Sequence, residues 1–175
     1  MKLRHSAGIA ILLAASAALA ACDQQPSPPN GSTPTISEAA PAAAGVSAVD
    51  ALPLMVVHKS PTCGCCELWV EHVREAGFTV EVCNVQNLHP IKQRLGVPYG
   101  KGSCHTAEVA GYVIEGHVPA GDIVRLLAQR PDARGLVLPG MPLGSPGMEM
   151  PDGQTQPYTV ELVTRDGATE AFAQH

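Results

Sequence analysis

Basic charge, long apolar runs and internal repeats are all scarce in this 175-residue sequence. Its 11 Lys and Arg residues stand against 16 Asp and Glu residues, and the formal net charge is −5. A chain with this balance is not expected to bind nucleic acid. Its one extended apolar run, from Ile9 to Ala21, is too short to anchor a protein stably across a bilayer. With no evident repeat, the part that can build a core is expected to form one compact domain.

The first residues have the features of an export signal. A short basic start containing Lys2 and Arg4 precedes the apolar run, so we predict a signal peptide over residues 1–21. Its end, Leu19-Ala20-Ala21-Cys22, resembles the lipobox of bacterial lipoproteins, which implies cleavage before Cys22 and lipidation of that cysteine. Asp23 resembles an inner-membrane retention signal. The mature protein is then expected to be periplasmic, tethered through its lipid, with a formal charge of −7 once Lys2 and Arg4 are removed.

Residues 22–51 are predicted to be the lipidated cysteine and a disordered linker. From Gln24 to Asp50 the chain is almost wholly Pro, Ala, Ser, Thr and Gly, with no aromatic residue and Glu38 as its one charge before Asp50. This composition cannot bury enough apolar surface to build a core. A flexible linker of this length reaches roughly 30 Å on average, so the domain predicted over residues 52–175 would move freely above the membrane.

Three cysteines within four residues are the centre of that domain: Cys63-Gly64-Cys65-Cys66. A strand-like run, Leu54–His58, precedes them, and the helix-like run 67–77 follows. The spacing of its apolar residues predicts one buried helix face, composed of Leu68, Trp69, Val73 and Ala76. Free N–H groups and the positive end of a helix dipole at such a turn favour thiolate over thiol.

The spacing of these cysteines allows more than one chemistry. Cys63 and Cys66 form a Cys-x-x-Cys pair one helical turn apart, the arrangement of a dithiol that opens and closes as a disulfide. Cys65 would compete in any such exchange, whereas Cu(I), and to a lesser degree Zn(II), prefers soft thiolate ligands. We therefore expect a soft-metal site, with a structural disulfide, a structural zinc module and a thiol–disulfide oxidoreductase as alternatives. In the oxidoreductase, Cys63 would be the nucleophile and Cys66 the resolving thiol.

The order of elements predicts where a fourth thiol lies. Beyond the first helix we expect a strand at 78–85, a short helix at 89–95, two short strands meeting at Ala110-Gly111, and a helix from Ala120 to Gln129. Its inward residues are predicted to be Ile123, Val124, Leu126 and Leu127. This is the thioredoxin-like order, a mixed sheet with flanking helices. In that fold Cys104 would enter the third strand facing the Cys-x-x-Cys turn, whereas Cys83 is expected to be a half-exposed thiol.

Histidine and methionine supply further candidate ligands. His105 and His117 lie at predicted strand ends, where an imidazole either binds metal or bonds to backbone, and His58 and His72 are expected to be structural or exposed. The Gly- and Pro-rich segment 135–151 predicts an irregular loop carrying Met141, Met148 and Met150. Thioethers bind Cu(I), although these side chains could equally cover a sheet edge. One more strand, 158–164, and a short end near Phe172 complete the chain.

Four segments together resemble the CopG-type family of periplasmic copper-resistance proteins, and the resemblance covers nearly all of the domain. They are the Cys-x-Cys-Cys turn, Ser103-Cys104-His105-Thr106, Glu115-Gly116-His117-Val118-Pro119, and the run from Pro139 to Glu149. The resemblance implies a thioredoxin-like fold and copper bound by clustered cysteines. Carried over position by position, the implied ligands are Cys63, Cys65, Cys66, Cys104, His117 and Met148.

The function expected from these observations is periplasmic copper resistance or homeostasis. The domain would hold Cu(I), either one ion or several ions bridged by shared thiolates, and could change the oxidation state of copper. Its partners would be copper ions and a periplasmic exporter or chaperone that exchanges them. The membrane would be contacted through the lipid anchor alone. Cys83 and the long linker lie outside the family pattern.

Overall fold

The computed structural model describes residues 51–175, which form an α/β fold built on a mixed, seven-stranded sheet. The predicted signal peptide, Cys22, Asp23 and the linker up to residue 50 lie outside the described residues. Within the described part, no helix combines the length and the apolar character needed to cross a membrane. The strands and helices are, in chain order, β1 Met55–Lys59, α1 Gly64–Glu75, β2 Val80–Asn84, α2 His89–Leu95, β3 His105–Val109, β4 Tyr112–Glu115, α3 Ala120–Gln129, β5 Ala133–Val137, β6 Thr159–Thr164 and β7 Thr169–Gln174.

The sheet has the strand order β2-β1-β3-β4-β5-β6-β7. Strands β1 and β2 run parallel and are connected through α1, and β3 pairs antiparallel with both β1 and β4. The parallel βαβ half, the antiparallel hairpin turning at Ala110-Gly111, and the helix that follows all match the order of elements expected from the sequence. Because β1 and β3 are neighbours, the carboxyl end of β1 lies beside the start of β3, and Lys59 is opposite His105. This pairing brings the two cysteine-bearing segments together.

The core is formed by the sheet together with helices α1 and α3, whereas α2 buries none of its residues. Trp69, Val70 and Val73 of α1 are fully buried, as are Ile123 and Leu126 of α3. They pack with apolar residues from the inner strands, including Met55, Val57, Ala107, Ile114 and Leu136. Burying a large apolar side chain of this kind stabilises a fold by about 1.5–3 kcal/mol. Both helices that flank the cysteine site are therefore anchored by apolar packing.

Two predicted helix faces were partly wrong. Leu68 is 52% exposed and Val124 is 39% exposed, although both were expected to face inward, and Ala76 is also exposed. In α1 the position facing the core is taken by Val70. The helix begins at Gly64, three residues earlier than expected, which places Cys65 and Cys66 in its first turn. Its buried face is formed by Cys66, Trp69, Val70 and Val73.

After residue 130, the strand predicted over 158–164 is confirmed as β6, whereas β5 and β7 were not predicted. β5 pairs parallel with β4, and β6 and β7 form an antiparallel hairpin that extends the sheet to seven strands. β5 was not predicted because Gly135 interrupts the apolar pattern of this segment. Gly135 lies at a register shift between β5 and β6. The expected short end at Phe172 is strand β7, all six residues of which are half-buried or exposed, so its sequence lacks the alternation of buried and exposed residues that predicts a strand. Of the loop predicted over 135–151, residues 135–137 belong to β5 and residues 138–151 are irregular, as predicted.

Candidate metal centre

The cysteine motif forms the beginning of α1. Cys63 is the N-cap residue, with extended backbone angles (φ −82°, ψ 97°), and its carbonyl accepts the Glu67 N–H. No side chain caps this end of the helix. The thiols of Cys65 and Cys66 project from the first turn, where the unpaired helix N–H groups and the helix dipole favour negative charge. The expected strand-to-helix setting of the three cysteines is therefore present.

Cys63 and Cys66 are joined as a disulfide. Their i, i+3 spacing matches the dithiol pair predicted from the sequence, and the pair is in its closed state. Cys65 is a free thiol whose Sγ lies 3.6 Å from the Sγ of Cys63. The three sulfurs are adjacent with the disulfide closed, and all three become potential thiolate ligands once it is reduced.

Cys104 supplies the fourth sulfur, as the order of elements predicted. It immediately precedes β3, and its Sγ is 3.9 Å from the Sγ of Cys65, while its carbonyl oxygen is 3.7 Å from the Sγ of Cys66. The sulfur atoms of Cys63, Cys65, Cys66 and Cys104 all lie within 4.8 Å of one another. Burial, followed by the proximity of Cys65, raises the pKa of the Cys104 thiol to about 12. In the metal-free protein this thiol is therefore protonated at neutral pH, and a metal ion must displace its proton.

His117 lies on the other side of Cys104. Its Nε2 is 3.0 Å from the Cys104 Sγ, and its Nδ1 is 2.7 Å from the carbonyl oxygen of Pro146. Because a carbonyl can only accept, Nδ1 carries the proton and the lone pair of Nε2 faces the thiol. Desolvation lowers the pKa of His117, although the bond to Pro146 opposes the shift. A neutral imidazole with its lone pair directed at the sulfur cluster can bind a metal ion.

His105 is a second buried imidazole at this site. Its Nδ1 is 3.5 Å from the Cys104 Sγ, and its ring lies against Trp69, with the ring centroids 4.3 Å apart. Its Nε2 is buried and has no hydrogen-bond partner among the described residues. Burial, together with the neighbouring His117 and Lys92, holds the pKa of His105 well below its usual value. Cys104, His105 and His117 form a second group whose ligand atoms lie within 4.8 Å of one another.

The methionine loop lies against the first turn of α1. Gly147 has φ +80°, and a Cβ there would be 2.6 Å from the Cys65 carbonyl oxygen and 2.9 Å from the Trp69 nitrogen. Only a residue without a side chain fits so close to the helix. Met148, the next residue, is half-buried, whereas Met141 and Met150 are 49% and 38% exposed. The structure thus brings Gly147, the residue before Met148, against the cysteine-bearing turn, and the role of Met148 as a ligand stays a prediction.

The buried ammonium group of Lys59 contacts residues on both sides of the cysteine motif. Lys59, the last residue of β1, is fully buried; its Nζ is 2.5 Å from a Glu67 carboxylate oxygen and donates to the Ser60 carbonyl at 3.1 Å. The same carbonyl accepts the N–H of Cys63. Lys59 therefore ties the loop before the motif to the first turn after it.

The remaining predicted side chains lie elsewhere. Cys83 is a half-buried free thiol on β2, opposite His58, and does not belong to either ligand group. His58 pairs with Glu108, and His72 accepts a hydrogen bond from the N–H of Ala120, so both have the structural roles expected. Sequence reasoning missed Lys59 and Glu115, which are buried charged residues next to ligand segments. The one available signal for them was their place at strand ends, beside the cysteine turn and before His117.

The donor set fits a soft metal ion. Four sulfurs and two neutral imidazoles converge, and none of the six donors is a carboxylate, the type of ligand that Mg²⁺ and Ca²⁺ prefer. Thiolate and imidazole suit Cu(I) and Zn(II). The disulfide between Cys63 and Cys66 limits the metal-free oxidised form to Cys65, Cys104 and the histidines as donors. Full use of the cluster therefore requires reduction.

Comparison with known proteins identifies the family. Two solved structures, the copper resistance protein CopG in Form 1 and Form 2, are 44% and 43% identical to this chain, each with a TM-score of 0.67. Each match covers 71% of this chain and 98% of the other. The family model described as "Protein of unknown function, DUF411" matches residues 101–148, which include Cys104 and His117. A search of curated proteins gave no match. At this identity and coverage, with a cysteine cluster able to hold metal, the chain belongs to the CopG family of copper-resistance proteins.

Proposed function

We propose that this protein contributes to copper resistance by binding Cu(I) through Cys63, Cys65, Cys66 and Cys104. The convergence of these four sulfurs within 4.8 Å of one another is the observation that carries the proposal. We infer that the metal is copper because the similar solved structures are copper resistance proteins. His117, whose Nε2 faces Cys104, and Met148, on the loop that contacts the cysteine turn, complete the proposed ligand set.

We propose further that the cluster holds more than one ion. Four thiolates around a single Cu(I) carry an excess charge of −3, and their mutual repulsion in a half-buried site is costly. Sulfurs that bridge several Cu(I) ions share this charge among more cations. The adjacent spacing of the sulfurs, 3.6 Å between Cys63 and Cys65 and 3.9 Å between Cys65 and Cys104, supports bridging.

The cellular setting is also a proposal. The basic start, the apolar run and the lipobox-like end at Cys22 support a lipoprotein tethered in the periplasm, with Asp23 favouring the inner membrane. Substituting Cys22→Ser should release the protein from the membrane fraction, and radiolabelled palmitate should no longer be incorporated. The βαβ-hairpin-helix order of the first four strands supports a thioredoxin-like assignment for the domain.

Metal content and X-ray absorption on the mature, reduced protein test the copper proposal. We expect Cu(I) bound through sulfur at more than one equivalent, and loss of this binding in the Cys63→Ser/Cys66→Ser variant. Cys83→Ser is the matched control, because it removes a free thiol that lies outside the cluster and should leave the stoichiometry unchanged. Saturation at one equivalent would contradict the multinuclear site. A protein that rejects Cu(I) altogether would contradict the copper function.

The disulfide between Cys63 and Cys66 favours a second candidate, a thiol–disulfide oxidoreductase. In this mechanism Cys63 attacks a substrate disulfide, Cys66 displaces the reduced product, and the enzyme is left in the closed state seen here. Against it stands Cys65, a free thiol 3.6 Å from Cys63 that would compete for the mixed disulfide.

An insulin-reduction assay separates the two functions. Metal-free protein that turns over rapidly and keeps its activity in Cys65→Ser would favour the oxidoreductase. A protein that binds Cu(I) and reduces insulin no faster than free dithiothreitol would favour the copper function. The oxidation state of the bound copper, read from the same absorption edge, tests whether the site also changes it.

A further inference from the structure

Glu115 is a fully buried carboxylate that the copper-binding function has not used. It is the last residue of β4, in the segment Glu115–Pro119 that includes His117. Burying a carboxylate costs free energy unless it is paired and hydrogen-bonded. The groups that Glu115 contacts therefore indicate which part of the structure it stabilises.

Every oxygen of Glu115 has a partner near Cys104. Oε1 accepts the backbone N–H of Ser103 at 2.5 Å and forms an ion pair with Nζ of Lys92. Oε2 accepts the hydroxyl of Thr106 at 2.7 Å, and that hydroxyl in turn accepts from Lys92 at 2.9 Å. The carboxylate therefore bonds to Ser103, directly before Cys104, and to Thr106, two residues after it.

The segment before Cys104 is fixed from its other side as well. The Ser103 hydroxyl donates to the Gly140 carbonyl, which connects this segment to the methionine loop. Gly116, with φ +77°, lies so close that a Cβ there would be 2.7 Å from the Ser103 Cβ and 2.5 Å from the Leu138 carbonyl oxygen. Hydrogen bonds thus fix Ser103 and Thr106 on either side of Cys104. The thiol of Cys104 lies close to Cys65 and His117.

We propose that Glu115 is a positioning residue for Cys104, with its carboxylate fixing the peptide that directs the fourth thiol into the cluster. Lys92 balances the buried charge and ties α2 to the site through the same network. The inference rests on the proposed copper function, because the reason to fix this thiol is the metal it binds. Its first readout is nevertheless independent of copper.

The test uses the mature chain carrying Cys63→Ser and Cys66→Ser, so that Cys65 and Cys104 are the two thiols left in the cluster. Mild oxidation with diamide should join them, since their sulfurs are 3.9 Å apart, and peptide mass spectrometry measures the yield. Glu115→Gln is then added to this background. The matched control is Glu108→Gln, which removes a carboxylate on β3 that is paired with Arg94 and His58 instead of the Cys104 segment.

We expect Glu115→Gln to lower the yield of the Cys65–Cys104 disulfide severalfold, at a temperature where circular dichroism shows the variant folded, and Glu108→Gln to leave it unchanged. The amide carries no charge to pair with Lys92, and its NH2 group can donate to the Thr106 hydroxyl but cannot accept from it as Oε2 does, so the network around the Cys104 segment must rearrange. A merely structural role would lower the melting temperature without changing the yield in the folded protein, and that result would overturn the proposal. Thr106→Val, which removes one anchor and no charge, should act in the same direction and decides the question if Glu115→Gln does not fold.

Copper binding supplies the second readout. With all four cysteines present, Glu115→Gln should weaken Cu(I) binding by about 10–100-fold, the usual effect of losing a group that orients a metal ligand. Competition with bathocuproine disulfonate measures the change. If the disulfide yield falls but even the parent protein rejects Cu(I), the copper function fails and the positioning role stands. If the parent binds Cu(I) and both readouts are unchanged in Glu115→Gln, the positioning role fails and the copper function stands.

Discussion

At the scale of single residues, the site depends on charged side chains that are not themselves candidate ligands. Lys59 and Glu115 are fully buried, one under the Cys63–Cys66 turn and the other beside the Cys104 peptide. Each is paired, Lys59 with Glu67 and Glu115 with Lys92. The two halves of the sulfur cluster are therefore each held by an ion pair, and removing one partner should matter more than removing both.

The Lys59–Glu67 pair gives an asymmetric prediction. Glu67→Gln should destabilise the protein by about 1–3 kcal/mol, because it leaves a buried ammonium without its carboxylate. Lys59→Met should cost less, since methionine fills a similar volume and the half-exposed Glu67 that remains is solvated. Urea unfolding of the reduced, metal-free protein measures both. A larger loss for Lys59→Met than for Glu67→Gln would contradict this account, and Glu71→Gln, an exposed position on the same helix, is the control.

At the scale of elements, α1 and α3 are joined by a histidine that must be neutral. His72 on α1 accepts the N–H of Ala120, the first residue of α3, through Nε2. Desolvation lowers the pKa of His72 below 6.5 in spite of Glu149 and Glu75 nearby. The unfolded chain therefore binds the proton more readily than the folded one, and this contribution is complete above pH 6.5 and is lost as the pH falls below it.

This linkage predicts a specific pH dependence of stability. Between pH 7.5 and 5.5, His72→Gln should lose less stability than the parent, since a glutamine carbonyl can accept the same N–H and does not titrate in this range. The difference should be on the order of 1 kcal/mol, the value of one hydrogen bond. Thermal unfolding across this pH range checks it. The control is the exposed His89, whose substitution His89→Gln should leave the slope as it is in the parent.

The contact between the methionine loop and α1 is the other link between elements. Gly147→Ala should displace the loop, because the new Cβ would lie 2.6 Å from the Cys65 carbonyl in addition to the cost of a positive φ. Gly153 has a similar φ, +73°, and a Cβ there would contact no other atom. The control variant Gly153→Ala therefore measures only the free-energy cost of a positive φ, about 1 kcal/mol. We expect Gly147→Ala alone to weaken Cu(I) binding, as measured by competition with a chelator. Equal affinities in the two variants would show that the loop does not shape the site.

At the scale of the whole molecule, one sheet connects the cysteine site to the carboxyl-terminal hairpin. β1 and β3 bear the site, and β5, β6 and β7 continue the same sheet. Core residues from both ends, such as Trp69 and Leu162, belong to one apolar cluster. Unfolding of the described domain is therefore expected to be a single cooperative event.

Leu162→Ala tests this cooperativity. The side chain is 9% exposed, and its truncation should cost about 2–5 kcal/mol. Trp69, the single tryptophan of the chain, reports on the region of the cysteine site by fluorescence, and circular dichroism reports on the sheet. Both transitions should shift together to lower urea concentration. If the circular dichroism transition shifted and the Trp69 transition did not, the two regions would unfold independently, which would contradict this prediction. The control is Leu54→Ala, at a position 50% exposed, which should shift neither transition.

The sequence by itself determined the local features. Apolar alternation and helical spacing predicted β1 to β4, β6 and the three helices. The spacing of Cys63, Cys65 and Cys66 predicted a thiol cluster at a helix start. The order of elements also placed Cys104 opposite that turn, because in the thioredoxin-like arrangement that this order resembles, the loop before β3 faces the Cys-x-x-Cys turn. These properties depend on neighbours in the chain and on general rules of connection.

The tertiary structure decided the rest. Whether Leu68 or Val70 faces the core depends on which side of α1 packs against the sheet, because the apolar residues of this helix allow more than one buried face. β5 and β7 exist because β4 and β6 offer paired edges, which no local pattern in a Gly-rich segment can reveal. Lys59, Glu115 and the lone pair of His117 acquire their roles from partners 8, 23 and 29 residues away in sequence. Charge and hydrogen bonding at such separations follow from the packed fold, and the chemistry of the sulfur cluster depends on them.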